Sequence, residues 1–440
     1  MIKFIAYRKN HEYLILILIS ILIFIWPIPG TISIRNIVTY TILVLLLYNT
    51  IKHDKKALIN LYKKTKSLLF ILSIFLIWLI FQALFLSEHS TYILNEIRGQ
   101  FLTPIIYFII GLLLYNYNFI SINKRIILNL IFFSGFAHIL IITVYATFYF
   151  LTNHNLPYRF ELLMRVDEIS FYTNLFYIIF LTEIYYRINF KNNFLFLNRY
   201  FMFIFFLIFI FSIYLQGMRL GVLSFISTSS FFFLILVIFM DTNKIKKIFY
   251  LFVIVIFLST LSIYSIKKDS RWDTLIQTIP IAISSDSLYW LNKQKYEIPK
   301  LPNGKSVNLS NYLRIAQQVN GYKMIINYPF GVGYSRRAYK HALEKKYNMG
   351  YGHPHSGILN FILGVGIIGF LIYLIFLISI VKIANKNKNN EIFYIFTIII
   401  IITYHSRALI DMTFQNHMLQ LFMFFLGIGL SSTIMISKKD

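Results

Sequence analysis

The sequence contains no cysteine. That single absence excludes disulfides, thiolate-bound metal and a cysteine nucleophile. Charge is scarce as well: Asp, Glu, Lys and Arg make up 13% of the 440 residues, about half of the ~25% usual in a soluble domain. Acidic residues are rarest, 17 against 42 Lys plus Arg, for a formal net charge of +25. On a soluble chain that balance would suggest nucleic acid; here the position of the charges decides. What fills the sequence is apolar, 58% of residues with a mean hydropathy of +0.67. These residues fall in unbroken stretches and lack the 3.6-residue stripe of a soluble amphipathic helix. The expected class is an all-α, polytopic membrane protein.

Apolar runs occur near 13–29, 32–50, 67–86, 101–118, 126–151, 170–187, 200–216, 219–240, 249–266, 356–381, 391–407 and 415–437, about twelve spans. No small-residue cleavage site follows the first run, where Pro27, Pro29 and Gly30 turn the chain, so that run is expected to be a retained span. With both termini placed in the cytoplasm, 22 Lys and Arg fall on the short inner connections. Six fall outside: Arg35, Arg98, Arg159, Arg165, Arg219 and Arg407. This is the positive-inside distribution, and the expected location is a bacterial inner membrane, with membrane lipid and no nucleic acid as partner. No internal repeat is evident. The organisation is read as a single transmembrane domain over 1–440, with a periplasmic loop at 267–355 between the ninth and tenth spans. That loop holds 14 Lys plus Arg and five acids, and a loop of this length is more often functional than incidental. Within it, Tyr312, Ile315, Ala316, Val319, Tyr322 and Ile326 repeat at helical spacing, predicting an amphipathic helix over 309–327 that stops before Pro329.

Three groups of residues are candidates for chemistry. The outer cations on short connections are all arginine. A guanidinium keeps its charge and grips phosphate through a planar fork. Arg98 and Arg159 have acids nearby, Glu96 and Glu161, and are expected to pair with them. Arg219 has none close in sequence and opens a run at the Gln216-Gly217-Met218-Arg219 break, so it is expected to serve function. The second group is Gly352-His353-Pro354-His355-Ser356-Gly357. A neutral imidazole suits drawing a proton from a hydroxyl. The other readings are a structural role or part of a metal site, which for zinc needs three or four ligands. The third is the stretch from Arg314 to Gly333, with an arginine one turn into the helix and a Gly331-Val332-Gly333 turn whose N–H groups are candidates for an oxyanion. Arg407 and Asp411, spaced i,i+4, are expected to form a salt bridge; alternatively Asp411 orients a catalytic histidine. Together these residues describe one site at the outer face, with arginines suited to a pyrophosphate and a histidine suited to a hydroxyl. No cofactor and no metal is demanded, because diphosphate leaves readily once arginine neutralises it.

At these residues the chain resembles the bacterial O-antigen ligase family, with its related polymerases and oligosaccharyltransferases. The marks are the Gln216-Gly217-Met218-Arg219 break, Arg314 followed by Pro329-Phe330-Gly331-Val332-Gly333, the His353-Pro354-His355 entry, and Gly364, Gly366 and Gly369 behind it. Ser356 stands where the family's histidine motif usually continues with Asn. The resemblance implies a GT-C-like glycosyltransferase performing an inverting, metal-independent transfer at the periplasmic face. A glycan would pass from undecaprenyl pyrophosphate to a sugar hydroxyl of lipid A-core. It also implies that Arg219 and Arg314 bind pyrophosphate, that His353 or His355 is the base, and that Asp411 supports it. An O-antigen polymerase shares the donor chemistry but usually shows two sizeable outer loops. A flippase for lipid-linked glycan would place its ionisable groups at mid-bilayer.

Overall fold

The computed structural model describes residues 2–116, 124–157, 161–239, 243–268, 271–284, 288–349, 353–386 and 391–435. In chain order the helices are α1 (Ile2–Ile25), α2 (Ile32–His53), α3 (Lys55–Phe81), α4 (Ser90–Ile97), α5 (Thr103–Asn116), α6 (Lys124–Asn153), α7 (Val166–Phe190) and α8 (Arg199–Gln216). They continue with α9 (Arg219–Phe239), α10 (Lys244–Lys268), α11 (Arg271–Ser284), α12 (Leu309–Asn327), α13 (Ala338–Tyr347), α14 (Gly357–Lys386), α15 (Glu391–Ala408) and α16 (Asn416–Met435). The described residues hold no β-strand, only an isolated bridge between Lys300 and Ser306.

Over the described residues the twelve apolar runs fall largely on helices, although the end of the first, after Ile25, is a turn. Among the described residues seven helices are long and apolar enough to cross a membrane: Ile32–His53, Lys55–Leu86, Ser90–Asn116, Lys124–Asn153, Arg199–Gln216, Arg219–Phe239 and Gly357–Lys386. This is an all-α polytopic membrane protein. In lipid the helices gain little from hiding apolar surface, so close packing joins them. The pair α5 and α16 shows how. A Cβ on Gly111 would stand 2.3 Å from the Phe424 carbonyl oxygen, and one on Gly427 2.3 Å from that of Phe108. Backbone therefore meets backbone, and Ser431 Oγ donates across to the Leu112 carbonyl at 2.8 Å.

The break between α8 and α9 follows from Gly217, whose φ of 55° ends α8 in a left-handed cap, a conformation that glycine adopts without a Cβ penalty. A second break lies inside α14, at Gly366 (φ 68°, ψ 179°), in a region of backbone space essentially reserved for glycine. Such a break frees backbone groups that lipid cannot satisfy, and the Pro329–Gly333 turn satisfies them. Val332 N donates to Leu363 O at 2.9 Å, Gly333 N to Gly364 O at 3.1 Å, and Ile367 N to Pro329 O at 2.8 Å. Trp78 Nε1 donates to Val365 O at 2.8 Å, and the Gln82 amide to Phe330 O. The expectation that this Gly-x-Gly turn offers N–H groups to an oxyanion is thus corrected. Those donors already serve the broken helix.

The long segment between α10 and α14 is a packed cap. Helix α12 spans the residues predicted for it, and Asn308 caps its start by accepting from Asn311 N at 3.1 Å. Trp290, Tyr312, Met324, Tyr339 and Leu343 are buried together and share a core with Leu359 and Leu363 of α14. Tyr339 N donates to Asn360 Oδ1, and Asn360 Nδ2 to Ser335 O, both at 3.0 Å. These bonds fix the start of α13 against the start of α14.

Candidate functional site

A cavity of about 920 Å³ opens where the starts of α7, α9, α13, α14 and α16 converge with the first half of α12. Its lining is rich in charge: Arg165, Arg314, Arg336, Arg337 and Lys340 against Glu161, Asp167 and Asp411, with His353 and His355 among them. Helix starts carry partial positive charge, so a cation there is intrinsically disfavoured. Arg337 is nevertheless the cap of α13, with Lys340 in its first turn, and Arg219 opens α9. Cations set on positive helix ends around an open polar cavity lose that penalty when an anion enters.

The structure places the residues singled out from sequence as follows. Arg314, His353, His355 and Asp411 all line the cavity. Arg219 does not line it, although its neighbours Met218 and Leu220 do. Its guanidinium donates to Asn311 Oδ1 at 3.1 Å, so it grips α12 one turn before Arg314. His353 and His355 meet edge to face, with ring centroids 4.0 Å apart. His355 adopts φ 51°, uncommon for a side-chain-bearing residue, and its carbonyl accepts from Gln318 Nε2 at 3.1 Å. Ser356 Oγ accepts from Leu359 N at 3.2 Å, so it caps α14. Burial first, then the charges of His353 and Arg314, push the His355 imidazole down to about 3. Burial and then Arg314 lower His353 too, while Asp411 acts in the opposite direction. Both rings are neutral near pH 7.

Asp411 forms the expected salt bridge with Arg407, at 3.0 Å. Arg407 is almost fully buried and also donates to Ser170 Oγ and Asp167 O, each at 3.1 Å. It thereby ties the end of α15 to the start of α7. Asp411 O accepts from Gly357 N at 2.9 Å, which brings the histidine segment beside this corner. One expectation is corrected here. Glu96 pairs with Arg336, through Nη2 at 2.8 Å and Nε at 3.1 Å, and not with Arg98, which is exposed. Hydrogen bonding to Glu96 raises Arg336 further above its ordinary range. Arg159 lies outside the described residues, and Glu161 accepts from Val166 N at 3.3 Å.

Sequence reasoning passed over Arg336, Arg337 and Lys340 as part of a generally basic loop. The available signal was three cations within five residues at a helix start, where acids are normally favoured. Among the described residues, His353, His355 and Asp411 do not gather as a metal-ligating trio.

Fold and site together define a polytopic α-helical membrane protein with an anion-suited, histidine-bearing cavity at one end of its bundle. Residues 204–374 match the family model described as O-Antigen ligase, so that stretch is similar to the O-antigen ligase family. The matched stretch includes Arg219, Arg314, His353 and His355, whereas Arg165 and Asp411 lie outside it. No curated protein matches the chain.

Proposed function

We propose that the protein is an O-antigen ligase, moving a glycan from undecaprenyl pyrophosphate to a sugar hydroxyl of lipid A-core at the periplasmic face of the inner membrane. The observation that carries this reading is that Arg314, two neutral histidines and Asp411 share one polar cavity of about 920 Å³ at the helix ends. In the proposed reaction, His353 or His355 takes the proton from the acceptor hydroxyl. The freed oxygen attacks the anomeric carbon from the face opposite the diphosphate, which inverts that centre. The bond to the diphosphate oxygen breaks, and Arg314 neutralises the leaving charge. Arg219, between the cavity-lining Met218 and Leu220, holds the start of α12 through Asn311; its proposed role is to keep Arg314 on the diphosphate and to add a second guanidinium once the donor is bound. Asp411, fixed by Arg407, favours the protonated His353 as it forms. No metal takes part at the reacting centre.

A polymerase would use the same donor with a second lipid-linked repeat as acceptor. The family match supports a ligase or polymerase type of transferase. The test is transfer by purified protein with lipid A-core, in competition with a second lipid-linked repeat. Product on lipid A-core supports the ligase reading, and chain extension alone overturns it in favour of polymerase.

A further inference from the structure

A second cluster of ligating side chains involves α13 but none of the residues that line the transfer cavity. His89 is the residue capping α4, and His341 and Glu344 stand three apart on α13. His341 Nδ1 lies 3.2 Å from Glu344 Oε2, and His89 Nε2 lies 3.9 Å from the same oxygen. The two imidazole rings are 4.4 Å apart between centroids. One donor atom from each residue falls within 4.8 Å of the others. Ligand atoms around a tetrahedral zinc, bound at about 2.0–2.1 Å, sit roughly 3.3–3.4 Å from one another. The trio is close to that spacing before any ion draws it in. Lys340 Nζ contacts the other oxygen of Glu344, at 3.5 Å, which leaves Oε2 to the histidines. His89 is about half exposed, with Glu344 a third exposed and His341 largely buried, so an ion has a path in and a fourth position for water.

We propose that His89, His341 and Glu344 bind one zinc-class divalent cation that clasps α13 to the start of α4. Two imidazole nitrogens and one carboxylate favour zinc or cobalt over magnesium or calcium, which prefer all-oxygen cages. The clasp completes a fastening already begun at the far end of α4 by the Arg336–Glu96 ion pair. Since α13 presents Arg337 and Lys340 to the cavity, the ion fixes part of the anion-binding wall without touching the reacting atoms. The site does not depend on the glycosyltransferase reading, and its test does not use activity.

The experiment takes the full-length, untagged protein in detergent, stripped with chelator and dialysed against Zn²⁺, with bound metal counted by mass spectrometry and Co²⁺ used as a spectroscopic probe. About one equivalent of Zn²⁺ is expected, with a tetrahedral Co²⁺ absorption band and no response to Mg²⁺. His89→Asn, which keeps a good helix cap, and Glu344→Gln should each weaken Zn²⁺ binding at least about ten-fold, as loss of even outer-shell partners does. His353→Ala and His355→Ala should bind as the parent does. Less than a tenth of an equivalent in the folded parent, unchanged affinity in His89→Asn and Glu344→Gln, or binding lost with His353 or His355 instead would each overturn the proposal.

Discussion

At His355 both backbone and ring are constrained: φ is 51°, the carbonyl is held by Gln318, and the imidazole is pushed down to about 3. A histidine lowered in this way keeps its neutral, proton-accepting form well below its ordinary value of 6.5. The sign for stability is the opposite of that for a histidine held charged in a salt bridge. Below pH 6.5 an unfolded His355 takes up a proton that the folded one refuses, so stability falls as pH drops towards 3. His353 and Arg314 are the titrating and charged groups that act on it, and Asp411 acts on His353. Transfer per folded molecule is therefore expected to hold its plateau from pH 8 to below the ordinary imidazole value of 6.5; a half-fall centred on 6.5 would contradict a lowered imidazole as the base. Replacing the true base by alanine should reduce kcat by about 10²–10⁴, the usual weight of a positioned acid or base. The other histidine variant should lose less, and both should insert normally. Arg314→Ala should cost about 10²–10³ in kcat, as for other donors to a developing anion, with only partial recovery in Arg314→Lys. The histidines and Arg314 were legible in sequence because cations and imidazoles stand out in a chain this apolar. The Glu96–Arg336 pair was not, because 240 residues separate its partners and nearness in sequence favoured Arg98.

Among the elements, the broken α14 and the Pro329–Gly333 turn form one unit. A Cβ at Gly366 would lie 2.3 Å from the Phe330 carbonyl carbon, and one at Gly331 2.5 Å from Gly364 O. Gly366→Ala is expected to destabilise the protein by about 2 kcal/mol or more, from a backbone region closed to alanine plus that collision. Thermal unfolding in detergent would show it, and an unchanged midpoint would contradict the clamp. Arg219→Ala should act on α12: if Arg219 mainly positions Arg314, donor KM rises and kcat falls together, whereas loss in kcat alone would indicate direct contact with the leaving group. Element boundaries were partly legible. Gly217 ended α8, and the period of Tyr312 to Ile326 gave α12, because both signals are local. The break at Gly366 was hidden because its cause is tertiary: the carbonyls it frees are satisfied by a turn about 35 residues earlier.

For the molecule as a whole, apolar run length made the helical class plain, and over the described residues the runs fall largely on helices. The convergence of five helix starts around one cavity was not visible, because it depends on how spans pack and not on their content. Orientation can be read with the chain's own lack of cysteine. A single Lys305→Cys, on the exposed turn of the cap, is expected to react with a membrane-impermeant thiol reagent added from the periplasmic side. Asn192→Cys, between α7 and α8, is expected to react only after the membrane is opened; the reverse pattern would invert the topology. The central claim, that guanidinium and imidazole groups cooperate in one cavity to move a glycan, is tested most directly by reconstituted transfer followed by mass spectrometry. With a defined undecaprenyl-pyrophosphate glycan and lipid A-core, the parent protein should yield lipid A-core heavier by the glycan. Arg314→Ala and at least one of the two histidine variants should lose about a hundred-fold or more of that product. Full activity in all three variants, or donor lipid carried across the bilayer with its mass unchanged, would contradict the account.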